Sequence, residues 1–197
     1  MVSRTATVER TTKETDISVE INLDGTGVVD VDTGVPFFDH MLDAFGRHGL
    51  FDLRVRARGD VEVDAHHTVE DVGIVLGQAI ARALGDKRGI ARFGSQLLPM
   101  DEALVLAACD ISGRGQLHYA VDVPLCLLGM FDTSLAKEFL IALAANAGVT
   151  LHVRQLAGEN AHHLVEASFK ACGRALRQAC ELDARVGDAL PSTKGAL

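Results

Sequence analysis

Two adjacent histidines followed by a glutamate occur twice in this chain. They are His66, His67 and Glu70 in the first copy, and His162, His163 and Glu166 in the second. On a helix, the glutamate lies beside both rings, because it follows them by four and three residues. Neighbouring helical residues point about 100° apart, so the two rings of a pair are expected to reach different ions. Imidazole and carboxylate ligands without thiolate suit Mn, Fe, Co, Ni or Zn. The repeated pattern therefore predicts a site with two metals.

The residues around the two copies also match each other. Residues 53–56 match residues 151–154 at a constant offset, and the same offset places His40 opposite Glu138. Each of these two residues lies on a predicted helix that precedes a strand and a helix with paired histidines. Taken alone, His40 could be a core-helix histidine and Glu138 a solvated carboxylate, but their matching positions favour metal binding. The predicted metal ligands are His40, His66, His67, Glu70, Glu138, His162, His163 and Glu166.

The hydrophobic periodicity and the internal repeat together predict an α+β fold of two similar fused halves. Strands are expected within 4–32, 51–57, 103–123 and 151–154, with a hairpin break at Asp24-Gly25. Helices are expected from Phe37 to Gly49, from His66 to Gly85, after a cap at Asp132 or Thr133 up to Gly148, and from the second histidine pair onward. Each half would be a mostly antiparallel sheet with two helices on one face. We place the halves at 1–92 and 93–197, together one compact domain, with a loop at 191–197.

Composition restricts the classes of function. The chain has 197 residues, 48% of them hydrophobic, and a net charge of −8, which argues against a general nucleic-acid binder. No apolar run approaches the roughly 18 residues that span a bilayer, and the N-terminus lacks a signal-peptide core. The four cysteines have no CxxC spacing and are expected to be buried, reduced thiols, namely Cys109, Cys126, Cys172 and Cys180. These features predict a cytoplasmic protein without a membrane or nucleic-acid partner.

Several basic residues have glycine or serine nearby in the chain, as in loops that bind phosphate. They are Arg92, Arg114, Lys170 and Lys194. An isolated arginine or lysine is usually a solvated surface charge. Lys170 follows Glu166 by four residues, so a plain helical ion pair is the alternative there.

Six motifs together resemble imidazoleglycerol-phosphate dehydratase, the histidine-biosynthesis enzyme that removes water from its substrate. They cover residues 34–42, 64–71, 99–103, 110–114, 160–163 and 191–195. The resemblance runs from about Arg4 to Leu197 and is to the monofunctional form. It implies two Mn²⁺ ions per active site and a homo-oligomer of 24 subunits with active sites at subunit interfaces. The implied reaction converts D-erythro-imidazoleglycerol phosphate to imidazole acetol phosphate, with the substrate imidazole at the two metals.

The resemblance also implies roles for individual residues. Both histidine-pair helices supply metal ligands, with further ligands from the helices of His40 and Glu138, although many family members have histidine where this chain has Glu138. The implied phosphate-binding residues are Arg92, Arg114, Lys170, Ser192 and Lys194. Glu14 contacts substrate and resembles an acid/base residue; its alternative is an exposed strand carboxylate. Glu166 is the second candidate for proton transfer, unless it serves purely as a ligand.

Two other functions share part of this pattern. A metal-dependent hydrolase of a small phosphorylated substrate would use the same ligands and cations, but it would release phosphate instead of forming a ketone. A metal-storing cage would not need Glu14 or the phosphate-binding residues, and it would hold many ions per subunit. Product analysis and metal stoichiometry separate the three.

Overall fold

The computed structural model describes residues 4–195 and contains two four-stranded sheets. The first sheet has the order β1-β2-β4-β3 and the second has the order β5-β6-β10-β7. In each sheet the first three strands pair antiparallel and the last strand pairs parallel to its neighbour. The strands are β1 (Thr5–Thr11), β2 (Thr15–Asn22), β3 (Val29–Asp32), β4 (Asp52–Gly59), β5 (Phe93–Met100), β6 (Ala103–Asp110), β7 (Gln116–Ala120) and β10 (Thr150–Ala157), with a short hairpin of β8 (Leu127–Leu128) and β9 (Phe131–Asp132).

Over the same described residues, the structure has four helices: α1 (Pro36–Gly49), α2 (His66–Leu84), α3 (Leu135–Ala147) and α4 (Ala161–Cys180). Pro36 occupies the first turn of α1, where its missing amide hydrogen costs nothing. Gly148 ends α3 in the left-handed conformation that glycine adopts without strain. The α+β class with two similar halves is thereby confirmed. The boundary between residues 92 and 93 remains a prediction.

The helices lie between the two sheets, and each contacts a helix of the other half. The helices α1 and α2 contact the first sheet, α3 and α4 contact the second, and the contacting helix pairs are α1 with α4 and α2 with α3. Equivalent glycines permit both approaches. A Cβ on Gly77 would lie 2.7 Å from the carbonyl oxygen of Leu143. A Cβ on Gly173 would clash with the carbonyl oxygen of Phe45 in the same way. Buried side chains from both halves therefore form one core.

The predicted hairpin at Asp24-Gly25 was wrong. The first tight turn lies at residues 12–14, where the hydroxyl of Thr12 accepts hydrogen bonds from the amides of Glu14 and Thr15. The chain after Gly25 instead crosses to the far edge of the sheet, and the Asp52 carboxylate accepts hydrogen bonds from amides in this crossing. The strand that follows, β3, pairs parallel to β4, which a local hairpin cannot produce.

Strand β5 was absent from the sequence prediction. Leu97, Leu98 and Pro99 interrupt the alternation of polar and apolar residues, and β5 lies at the edge of its sheet, where proline is tolerated.

The prediction for the cysteines was wrong at one position. Cys126 is exposed, whereas Cys109, Cys172 and Cys180 are buried. Burial raises the pKa of the Cys172 and Cys180 thiols to about 12.

Within residues 4–195, no helix is long and apolar enough to cross a membrane. Residues 191–195 form neither helix nor strand, as expected for the C-terminal loop. The predicted loop also includes residues 196 and 197, which lie outside the described residues.

Candidate metal centre

Two imidazoles and one carboxylate converge where α1 meets α4. Nε2 of His40 lies 3.3 Å from Oε2 of Glu166, and Nε2 of His162 lies 2.9 Å from the same oxygen. The ligand atoms of the three residues all lie within 4.8 Å of one another. Neutral imidazole nitrogens and a carboxylate oxygen at this separation are a donor set that suits divalent Mn, Fe or Zn. His40 comes from the first half and the other two residues come from the second, so the halves build this cluster together.

Glu166 is the buried member of this cluster. Its side chain is 8% exposed, and Nζ of Lys170 lies 2.6 Å from its other oxygen, Oε1. Burial raises the pKa of Glu166, but the hydrogen bonds from Lys170 and His162 outweigh burial and leave the pKa below its ordinary value. Glu166 is thus held as an anion whose Oε2 faces both rings. The i,i+4 ion pair, which was the alternative reading for Lys170, is present.

Local signals fix where each paired-histidine helix begins. The Asn160 side chain caps α4 by accepting a hydrogen bond from the amide of His163, at 3.2 Å. Oδ1 of Asp64 accepts from the amide of His66, at 2.7 Å. Both pairs therefore lie in the first turn of a helix, where their side chains are not enclosed by the core.

The equivalent group of the first half is more open. Nε2 of His66 lies 3.9 Å from Oε2 of Glu70, and both side chains are more than 40% exposed. Glu138 is half-buried on α3, the helix that packs against α2. In the described part of the chain, Glu138 does not form a close three-donor group with His66 and Glu70. The proposed role of Glu138 as a ligand remains a prediction.

The second histidine of each pair contacts a carboxylate through its Nδ1 atom. Nδ1 of His67 lies 3.0 Å from Asp60 and 3.9 Å from Glu14, and Nδ1 of His163 lies 2.7 Å from Glu102. The hydrogen bond that His67 donates to Asp60 raises the pKa of His67, and the hydrogen bond that His163 donates to Glu102 raises the pKa of His163. In return, His163 lowers the pKa of Glu102 to about 2.

The sequence prediction did not include Asp60 or Glu102 as site residues. Glu102 belongs to a motif, residues 99–103, that contributed only to the family resemblance. Its position next to a histidine some sixty residues later in the chain has no sequence signature, because it depends on how a hairpin turn meets a helix start. Asp60 lies shortly before the first histidine pair in the chain. An acidic residue so close to a predicted ligand pair was a sequence signal by which Asp60 could have been included.

Glu14 lies in the β1–β2 turn, which is anchored to the start of α2. Asp71, next to Glu70, accepts hydrogen bonds from Arg10 and from the hydroxyl of Thr15. These contacts hold the two ends of the turn and present Glu14 toward His67. The Glu14 side chain is 55% exposed, which leaves it accessible to a substrate.

The predicted phosphate-binding residues divide into two places. Arg92 donates to Asp110 and to the carbonyl of Pro191, which brings the Ser192–Lys194 loop beside it. Arg114 also approaches Asp110, at 4.0 Å. Lys170 instead lies against Met100, at the other end of β5. Eight residues of strand separate these ends by about 23 Å, at roughly 3.3 Å per residue. A single subunit does not bring Lys170 and Arg92 to one phosphate.

Comparison with known proteins agrees with this geometry. The family model for imidazoleglycerol-phosphate dehydratase matches residues 33–176, which includes both histidine pairs. The chain belongs to the imidazoleglycerol-phosphate dehydratase family. It is 62% identical to the imidazoleglycerol-phosphate dehydratase of Dinoroseobacter shibae, over 98% of this chain and 100% of that protein. It is 58% identical to that of Moorella thermoacetica, with both chains covered in full.

Solved structures of the family share the fold. The dehydratase from Pyrococcus furiosus superposes with a TM-score of 0.83 at 42% identity, covering 96% of this chain and 100% of that one. The dehydratase from Staphylococcus aureus gives 0.82 at 37% identity, covering 91% and 99%. The chain is accordingly a hydro-lyase of the dehydration step in histidine biosynthesis. The family is metal-dependent, and the cluster of His40, His162 and Glu166 is a group that can hold a metal.

Proposed function

We propose that this protein dehydrates D-erythro-imidazoleglycerol phosphate to imidazole acetol phosphate at a site with two Mn²⁺ ions that bind the substrate imidazole. The observation that carries the proposal is the convergence of His40 and His162 on the anionic, buried Glu166. Imidazole and carboxylate donors fit Mn²⁺, and an ion of this class also accepts a substrate imidazole. The same donors would suit a hydrolase, but the family membership favours dehydration.

The predicted ligands divide into two equivalent groups. We assign His40, His162 and Glu166 to one ion, and by the repeat His66, Glu70 and Glu138 to the other. The remaining histidines, His67 and His163, have rings nearly perpendicular to their neighbours, at 88° and 80°. Each of them would therefore bind an ion other than the one bound by the adjacent histidine.

The separation along β5 supports an active site shared between subunits. The phosphate would be held by Arg92, Arg114, Ser192 and Lys194 of one copy, with Lys170 beside the metals of another. This arrangement agrees with the implied assembly of 24 subunits, in which each site lies at an interface. A cytoplasmic location, where histidine biosynthesis takes place, belongs to the same proposal.

The residues of this chain would handle two protons. The reaction removes a hydrogen from C2 of the glycerol chain and expels the hydroxyl from C3, and neither step is easy without acid and base. Bound metal would favour the imidazolate form of the substrate, whose electrons help to expel the hydroxyl. Glu14, exposed beside His67, is positioned to move one proton, and Glu166 is the candidate for the other unless it acts only as a ligand.

Product analysis tests the proposal. Purified protein with Mn²⁺ and imidazoleglycerol phosphate should form a ketone and one equivalent of water, with no inorganic phosphate. Release of phosphate would instead identify a hydrolase. Elemental analysis should find two ions per subunit in the wild type and fewer in His67→Ala or His163→Ala. Unchanged stoichiometry in both variants would contradict the ligand assignment, and many ions per subunit would indicate a storage protein.

A further inference from the structure

The two carboxylates at Nδ1 of the paired histidines come from different places in the two halves. Asp60 directly follows β4, whereas Glu102 lies in the β5–β6 turn, directly before β6. Both nevertheless reach the same ring atom of equivalent residues, His67 and His163, at 3.0 and 2.7 Å. Residues at two different chain positions thus make the same contact, which indicates that the orientation of the imidazole ring is important.

The topology shows why the halves differ. In the second half, Gly158 stands where Asp60 stands in the first, directly after the equivalent strand. Its φ is +107°, and a Cβ there would lie 2.6 Å from Cα of Ala103, so this position excludes a side chain. The equivalent of Glu102 in the first half is Glu14, directly before β2, and its Oε2 stays 3.9 Å from His67. In the first half, Asp60 contacts Nδ1 of His67, and Glu14 makes no hydrogen bond to that ring. In the second half, Glu102 in the β5–β6 turn makes the equivalent contact.

A carboxylate at Nδ1 determines what the rest of the ring can do. An ionised carboxylate only accepts hydrogen bonds, so the proton of each neutral imidazole must sit on Nδ1. Nε2, on the opposite side of the ring, then carries the free lone pair. In the second half, Nε2 of His163 lies 3.6 Å from Asp101, beyond hydrogen-bond distance, and the Asp101 side chain is 78% exposed. Histidines oriented in this way are typical metal ligands, and the carboxylate also fixes the ring orientation.

We propose that Asp60 and Glu102 are positioning residues that hold the Nδ1 atoms of His67 and His163, so that each Nε2 is presented to a metal ion. The inference rests on the proposed metal-binding function and adds these two residues to it. It also separates the two turn glutamates, because Glu102 orients a ligand whereas Glu14 remains available for proton transfer.

Mn²⁺ affinity of the purified full chain, measured by titration calorimetry, tests the inference. Glu102→Ala and Asp60→Ala should weaken Mn²⁺ binding by about 10- to 100-fold, the usual effect of losing the acid behind a ligating histidine. Glu102→Gln and Asp60→Asn should lose much less, because the amide oxygen still accepts from Nδ1–H. The matched controls Glu62→Gln and Glu159→Gln each remove one exposed charge from the segment just before a paired-histidine helix, and they should bind Mn²⁺ like the wild type.

A second readout separates orientation from folding. Circular dichroism without metal establishes that each variant is folded, and the absorption spectrum of the Co²⁺-substituted protein reports the ligand set. The alanine variants should change this spectrum, whereas the Glu102→Gln and Asp60→Asn variants should keep the wild-type spectrum. Wild-type affinity in both alanine variants, or equal losses in the alanine and amide variants, would overturn the inference. If the wild type itself bound no Mn²⁺, the proposed function would fail; if it bound two ions and only these predictions failed, the positioning role alone would be wrong.

Discussion

Replacing Gly173 by alanine should destabilise the protein, although alanine is the better helix former. Alanine in a helix interior is favoured over glycine by about 1 kcal/mol. Against this, the new Cβ would meet the carbonyl oxygen of Phe45 and would lie 3.2 Å from its carbonyl carbon. Backbone atoms cannot rotate away, so α1 and α4 must separate, and overpacking of this kind typically costs about 1–3 kcal/mol. Subtracting the helix-propensity gain from the steric cost leaves a net destabilisation of up to about 2 kcal/mol.

Urea unfolding of the metal-free protein measures this loss, and a thermal scan should show a midpoint lower by about 2–4 °C for each kcal/mol in a chain of this size. Mn²⁺ titration should also show weaker binding, because the displaced α1 carries His40 away from Glu166. Gly77→Ala is the matched comparison for stability, because its Cβ meets Leu143 in the same way. It separates α2 from α3, so it should disturb the ion assigned to His66, Glu70 and Glu138 and leave the contact of His40 with Glu166 in place. A Gly173→Ala protein about 1 kcal/mol more stable than the wild type would refute the reasoning.

Three further predictions concern the site. Glu14→Gln should lower turnover by about 100-fold or more, the usual contribution of a general acid or base, with Mn²⁺ content unchanged by elemental analysis; near-normal turnover would remove Glu14 from the mechanism. Arg114→Ala should weaken binding of phosphate-bearing ligands about tenfold or more in a calorimetric titration, since a charged hydrogen bond is lost, while Arg54→Ala, an exposed arginine on the first sheet, should not. The pKa of Glu102 is about 2, so its pairing with His163 stabilises the folded protein above the ordinary pKa of 4.5, and this contribution is lost as the pH falls toward 2. Glu102→Gln should flatten the stability curve over that range, and an unchanged curve would show that the pairing adds nothing.

The fold class could be read from the chain because its signals are local and written twice. Periodicity predicted all four helices, and the repeat predicted the two similar halves. The predicted cap of α3 at Asp132 or Thr133 was wrong, because α3 begins after Ser134. The failures have local causes as well. Strand β5 was missed because successive leucines and Pro99 hide its alternation, and a turn signal at Asp24-Gly25 could not reveal that the next strand pairs in parallel with a distant one.

The metal ligands could be predicted from the chain alone, because histidine pairs and their glutamates recur at helical spacing. The close grouping of three of them depends instead on how the helices pack. His40 precedes the first histidine pair in the chain, yet it meets His162 and Glu166 of the second, because α1 packs against α4 through Gly173. The acids at Asp60 and Glu102 likewise reach equivalent rings from unrelated chain positions. Spacing fixes neighbours only within one helix, whereas contacts between helices and turns depend on how closely two backbones can approach.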